Sequence, residues 1–88
     1  MPSVADVVDW MVLQINDGGI LYQEHAATGI YDGFGEPFVY YNNNGNLALS
    51  KPVLQEFNKR TARNVVWMRS DKLWRRREPG DEPGRQQP

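Results

Sequence analysis

The sequence predicts a small α+β domain, and three features of the chain lead to that fold class. Apolar residues recur at helical spacing in three segments, which are the predicted helices. Short apolar runs lie between these helices, and two strand-like runs follow the third helix. With 88 residues, 40% of them hydrophobic and 24% charged, the chain has the composition of one globular domain. We expect this single domain to span residues 1–77. A flexible Pro/Gly-rich, acidic tail is expected over residues 78–88.

The first helix is predicted to begin after Ser3, because Ser3 and Asp6 have the spacing of a capping box. Gly18-Gly19 is the predicted end of this helix. Apolar residues form one stripe along it, at Val4, Val8, Met11 and Ile15.

Trp10 and Leu13 are candidate interface residues on the first helix. On a helical wheel they lie opposite the apolar stripe, among acidic side chains. Two large apolar groups on an acidic face indicate either contact with another chain or, for Trp10, packing under the C-terminal segment. The sequence leaves both interpretations open.

A short strand is predicted at 20–22, followed by a second helix that Gly35 ends. The stripe of the second helix consists of Ala27, Ile30, Tyr31 and Phe34. Gly29 and Gly33 each cost about 1 kcal/mol relative to Ala, so this helix depends on tertiary packing. Residues 36–49 then form an inserted segment with two extended runs around an Asn-rich turn at 42–46.

Ser50 is the predicted N-cap of a third helix that continues to about Arg63. Its inward residues are Val53, Leu54, Phe57 and Thr61. Its outer arc carries Gln55, Glu56, Lys59 and Arg63, with Arg60 to one side. A terminal β-hairpin follows at 65–69 and 73–77, and a two-residue loop at Ser70-Asp71 would place Trp67 opposite Trp74.

Helix, short strand, helix, helix and terminal hairpin is the element order of a winged-helix domain. In that arrangement the short strand pairs with the hairpin, the hairpin is the wing, and the third helix faces outward. The inserted segment 36–49 places fourteen residues between the second and third helices, whereas a helix-turn-helix has a turn of about three to four. The resemblance is therefore one of architecture, and the insertion puts docking of the third helix in a DNA groove in doubt.

Charge is divided sharply between the two halves of the chain. All ten Lys and Arg residues lie between Lys51 and Arg85, whereas residues 1–50 carry six acids. Residues 1–50 sum to −6, residues 51–77 to +7 and residues 78–88 to −2, which gives the net charge of −1. Such a division predicts a basic surface that meets phosphate or an acidic protein.

The function we expect first is nucleic-acid binding by a basic third helix and hairpin. The candidate phosphate contacts are Lys59, Arg63, Arg69, Lys72, Arg75, Arg76 and Arg77. The competing interpretation is a solvated hairpin whose charges discourage edge pairing, and Glu56 on the outer arc counts against a strong DNA binder. Trp67 and Trp74 would stack on unpaired bases if exposed, although paired tryptophans in the hairpin of a small domain are more often core residues.

The alternative function is a protein-interaction or homo-oligomerising module. Trp10 and Leu13, or the basic hairpin against an acidic partner, would form its interface. Nothing in the sequence indicates an enzyme: His25 is the only histidine, and Glu24 beside it points about 100° away on a helix. No phosphate loop, catalytic triad or metal-ligand spacing is present. We expect no catalytic residue, metal, cofactor or small-molecule substrate.

The chain contains no cysteine, which excludes disulfides and thiolate metal sites. It has no signal-peptide pattern and no apolar run near the ~20 residues that cross a bilayer. We therefore expect a cytoplasmic protein without a membrane partner.

Six segments carry a resemblance to other proteins: LYQEHA at 21–26, FG at 34–35, FVYYNNNGNLAL at 38–49, KPVLQEF at 51–57, VVW at 65–67 and WRRREPGDEPGRQQ at 74–87. Together they resemble a family of small uncharacterised bacterial proteins, some of them carried on mobile integron gene cassettes. The resemblance covers most of the chain from Leu21 and implies a compact α+β domain in a bacterial cytoplasm. It implies no activity and transfers no catalytic residue.

Overall fold

The computed structural model describes residues 2–81, 84, 86 and 87, and these residues form three α-helices and six strands. The helices are α1 (Val4–Gly18), α2 (Gln23–Phe34) and α3 (Lys51–Thr61). The strands are β1 (Ile20–Tyr22), β2 (Val39–Tyr41), β3 (Leu47–Leu49), β4 (Val65–Met68), β5 (Leu73–Arg76) and β6 (Gln86–Gln87). A short 3-10 helix, Glu36–Phe38, joins α2 to β2. The predicted α+β class is confirmed.

The strands form a four-stranded sheet in the order β1-β5-β4-β6 and a separate pair, β2-β3. Strand β5 is antiparallel to both β1 and β4, so the short first strand pairs with the last strand of the terminal hairpin. This is the winged-helix-like order that the sequence predicts. The register also places Trp67 opposite Trp74, as predicted.

Both ends of α1 follow from local chemistry. The Ser3 hydroxyl accepts a hydrogen bond from the Asp6 N–H at 3.2 Å, and the Asp6 carboxylate accepts one from the Ser3 N–H at 2.9 Å. Gly19 stops the helix in the left-handed region, at a φ of 82°, and its N–H reaches the Ile15 carbonyl. The predicted capping box and glycine stop are thereby confirmed.

The core lies between the helices and the inner face of the four-stranded sheet. Phe57 of α3 is fully buried, and its ring meets that of Trp74 edge to face at a centroid distance of 5.1 Å. The other fully buried large side chains come from all three helices and two strands: Val7, Val8, Met11, Ile15, Ile30, Leu49, Val53 and Val66.

Tyr31 differs from the prediction for α2. Its side chain is 40% exposed, and the buried residues of this helix are Ala26, Ala27 and Ile30. The helix begins at Gln23, directly after β1, and buries a narrow face of small residues. Tyr31 lies beside that face, where it lines a shallow cavity together with Tyr40 and Tyr41.

The inserted segment 36–49 forms a hairpin that packs against α2. The Asn42 carboxamide oxygen accepts hydrogen bonds from the N–H groups of Asn44 and Asn46, both at 3.0 Å. Strand β3 packs on α2, whereas α3 packs chiefly on α1. In a helix-turn-helix, consecutive helices pack directly on each other. Here α2 packs on the inserted hairpin, and α3 packs on α1.

Residues 78–81 form a turn after the sheet. The Asp81 N–H donates to the Glu78 carbonyl at 3.0 Å, and Gln86–Gln87 pairs as β6 in parallel with β4. The flexibility predicted for 78–88 falls partly on residues 82, 83, 85 and 88, which lie outside the described residues. That flexibility and the domain boundary at 77 stay predictions.

No helix among the described residues combines the length and the apolar character that crossing a membrane requires.

Candidate nucleic-acid interface

The solvent-facing side of α3 carries cations and amides. Lys51, Gln55 and Lys59 follow one another at intervals of four residues, so they form a single row on the helix. All three are exposed, as are Asn58 beside the row and Arg63 just after the helix. We call these five residues the α3 basic face. Sequence reasoning missed Lys51 and Gln55 as site residues, although their four-residue spacing from Lys59 was a signal that could have found them.

The only carboxylate of α3 is bound within the molecule. The Arg60 guanidinium donates to Glu56 at 2.8 Å, and it also donates to Asp9 of α1. The hydrogen bond to Glu56, followed by the one to Asp9, raises the pKa of Arg60 above its ordinary value. The acidic group that counts against nucleic-acid binding is therefore paired with a cation beside it.

Arg69 and Lys72 lie in the turn between β4 and β5 and are both exposed. The Lys72 N–H donates to the Met68 carbonyl at 2.8 Å, and the Lys72 carbonyl accepts from the Gln23 N–H at 3.0 Å. The tip of the hairpin is thus held against the start of α2 by a backbone hydrogen bond.

Arg75, Arg76 and Arg77 make contacts within the molecule. Arg75 donates two hydrogen bonds to the Asp81 carboxylate, at 2.6 and 3.0 Å. Arg76 donates to the Asn16 carbonyl in the last turn of α1, where a cation also suits the helix dipole. Arg77 donates to the Gly84 carbonyl. These arginines link the end of the sheet to α1 and to the tail.

The structure therefore divides the seven predicted phosphate contacts into two groups. No described residue forms an ion pair or side-chain hydrogen bond with the side chains of Lys59, Arg63, Arg69 or Lys72. Arg63 nevertheless comes close to Arg76 and Arg77, because the three line one cleft of about 520 Å³ beside the end of α1. The carboxylate of Glu78 lines the same cleft.

The two hairpin tryptophans have different surroundings. Trp74 is 3% exposed and belongs to the core, whereas Trp67 is half-buried. Their ring centroids lie 4.9 Å apart with the planes tilted by 50°. Trp67 therefore has a core partner on one side and lines a small cavity next to α3.

Trp10 packs against α2. A Cβ atom added at Gly29 would lie 2.6 Å from the Cη2 atom of the Trp10 indole, so the ring lies directly on this glycine. Phe34 meets the same indole edge to face at 6.4 Å. Leu13 is 60% exposed. The interface that was predicted for these two residues stays a prediction.

His25 is the only histidine of the chain. Its side chain is exposed, and its ring lies beside that of Tyr22. Within the described part of the chain, no three His, Asp or Glu side chains converge as ligands for a metal ion.

The chain matches the model of DUF6953, a family of unknown function, over residues 3–76. No curated protein and no solved structure matches the chain. The description of the family names no ligand and no reaction.

Proposed function

The chain belongs to the DUF6953 family, and from its geometry we propose that it is a small non-enzymatic protein that binds nucleic acid through the α3 basic face. The observation that carries the proposal is the pairing of Glu56 with Arg60. Because of this pairing, the helix that carries Lys51 and Lys59, and that Arg63 follows, has no unpaired carboxylate. On the resemblance alone, we also propose a bacterial cytoplasmic location and an origin among proteins carried on integron cassettes.

The position of Lys51 supports this proposal. Lys51 is the first residue of α3, at the positive end of the helix dipole, where an acidic residue would stabilise the helix and a cation does not. Ser50 at the N-cap makes no side-chain capping bond that would offset this effect. A lysine at this position is therefore better explained by binding of an anion than by helix stability.

The expected mode of binding is contact with phosphates. The packing of α3 on α1 and of β3 on α2 departs from a helix-turn-helix, so we expect no insertion of α3 into the major groove. If Lys51, Lys59, Arg63, Arg69 and Lys72 each neutralise one phosphate, the log–log salt slope should be about −3.5 for single strands and about −4.5 for duplex.

The test is the triple variant Lys51→Gln, Lys59→Gln and Arg63→Gln, titrated with fluorescently labelled DNA at about 50 to 200 mM salt. We expect weaker binding and a slope that is shallower by about two to three units. The control adds three acids elsewhere, at the exposed positions Ala5→Glu, Thr28→Glu and Asn43→Glu. It gives the same net charge and should keep most of the slope.

Two outcomes would count against the proposal. Equal loss of binding in both triple variants would show that net charge controls binding rather than the α3 basic face. Absence of DNA binding, together with a salt-resistant dimer that Leu13→Asp dissociates, would favour the protein-interaction alternative, which the exposure of Leu13 supports.

A further inference from the structure

A small cavity lies between α3 and the inner face of the four-stranded sheet. Its volume is about 220 Å³, below the range of about 300 to 1,000 Å³ that is typical of small-molecule sites. It is lined by two tryptophans, one leucine and three amides: Trp67, Trp74, Leu54, Gln23, Asn58 and Gln86. A single planar ring suits this size better than a larger cofactor.

The lining has the chemistry that recognises a nucleobase. Trp67 is held by its ring contact with Trp74, and Leu54 packs against the core, so the apolar walls are positioned by packing. The carboxamides of Gln23 and Gln86 each carry a donor and an acceptor, as the edge of a base requires. Among the described residues, no charged side chain lines this cavity, which favours a base over a phosphate.

The cavity adjoins the α3 basic face. Asn58 belongs to both, and Lys59 is the next residue along the helix. A base in the cavity would therefore leave its sugar and phosphate near the row of cations. A base within a duplex is stacked on both sides and cannot enter unless it is extruded.

We propose that the nucleic acid is single-stranded and that the cavity beside Trp67 receives one unpaired base, stacked on the Trp67 ring. This inference rests on the proposed function, since the α3 basic face supplies the phosphate contacts. Stacking on aromatic side chains tolerates every base because each has a π-face. The carboxamides of Gln23 and Gln86 then set any preference among bases.

The test fills the cavity from its rim. Asn58 is exposed, so Asn58→Trp should place an indole in the opening without disturbing the core. We expect this variant to bind a labelled single-stranded oligonucleotide about tenfold more weakly or worse. Duplex binding should fall much less, because no base of an intact duplex enters the cavity. Ala62→Trp is the matched control, because Ala62 is exposed at the end of α3, lies outside the α3 basic face and is not among the residues that line the cavity.

Tryptophan fluorescence provides a second readout. Single-stranded DNA should quench the wild-type protein and Trp10→Phe, and most of the quenching should disappear in Trp67→Phe. If free AMP at the same nucleotide concentration quenches as strongly as the oligonucleotide, the ligand is a nucleotide and the strand proposal is wrong.

The outcomes separate the two proposals. DNA binding that requires Lys51, Lys59 and Arg63 but is unaffected by Asn58→Trp would overturn the base site and leave the proposed function standing. Equal affinity for duplex and single strands would also overturn the base site. Absence of any DNA binding by the wild-type protein would overturn both.

Discussion

At the scale of single residues, the contact between Trp10 and Gly29 explains how α1 and α2 approach each other. The indole occupies the space that a side chain at position 29 would fill, since an added Cβ would lie 2.6 and 2.9 Å from two of its ring atoms. Trp10 also meets Phe34 edge to face. The packing of Trp10 against Gly29 and Phe34 offsets the lower helix propensity of glycine relative to alanine at position 29.

Gly29→Ala should therefore destabilise the protein, even though alanine is the better helix former. We expect a loss of about 1 to 3 kcal/mol, because the tryptophan must shift out of a packed position. Gly33→Ala is the matched control in the same helix, since nothing lies within 4 Å of a Cβ at that position. It should raise stability by about 0.5 to 1 kcal/mol.

Urea denaturation of the two variants measures both effects. Combining Gly29→Ala with Trp10→Leu should recover part of the loss, because the smaller side chain leaves room for the methyl group. If both alanines stabilised the protein to the same degree, the Trp10 contact would not restrict position 29.

The sequence shows no difference between Gly29 and Gly33. Both lie inside the same predicted helix, and both carry the same propensity cost. What separates them is a ring from a helix that is distant in sequence, and helical periodicity does not reveal such a neighbour. For the same reason, the position of Trp10 on the wheel predicts that it lies off the α1 stripe but not that α2 covers it.

At the scale of elements, the features that depend on neighbours in sequence were predictable. The capping box, the glycine stop of α1 and the Asn-rich turn each act over a few residues. The Trp67–Trp74 register followed from the two-residue alternation of a hairpin, since a shift by one residue turns every side chain to the other face. Strand β6 was not predictable, because Gln86–Gln87 has no apolar pattern and its partner β4 is remote in sequence.

The ion pair between Arg75 and Asp81 joins β5 to the turn that follows it. The Asp81 carboxylate accepts two hydrogen bonds from the guanidinium and one from the Glu78 N–H at 2.7 Å. The Arg75 hydrogen bonds, followed by the one from Glu78, lower the pKa of Asp81 from 3.8 to about 2. The charged carboxylate is therefore stabilised in the folded protein.

This shift predicts a pH-dependent contribution of Asp81 to stability. Because the pKa is lower in the folded than in the unfolded state, the contribution is complete above the unfolded value of 3.8. It is lost as the pH falls through about 2. Asp81→Asn should lower the melting temperature at pH 7, and the difference from wild type should shrink as the pH falls below 4.

Thermal denaturation followed by circular dichroism between pH 7 and pH 2 is the measurement. Asp32→Asn, at an exposed position of α2, serves as the control and should change the melting temperature little at any pH. A difference for Asp81→Asn that is the same at every pH would mean that the substitution acts through packing rather than through the carboxylate charge.

At the scale of the whole molecule, the halves of the chain that differ in charge meet where α1 packs on α3. Among the ion pairs of the described residues, the one between Arg60 and Asp9 joins the acidic half to the basic half. The sum of charge along each segment was readable from the sequence. The sequence did not show which arginines bind other groups of the protein. Arg76 donates to a carbonyl sixty residues away, and Arg60 donates to a carboxylate fifty-one residues away.

Because α2 and α3 each carry exposed or paired carboxylates, single substitutions can distinguish the effect of local charge on α3 from the effect of net charge on DNA binding. Glu56→Gln removes the only carboxylate of α3 and leaves the Arg60 guanidinium less fully paired. We expect severalfold tighter DNA binding and a log–log salt slope that is steeper by about 0.7 to 0.9, which corresponds to one additional phosphate contact. Asp32→Asn changes the net charge by the same amount on α2 and should leave the slope unchanged. If both substitutions tightened binding equally, affinity would follow the charge of the whole molecule, and the α3 basic face would not be the binding site.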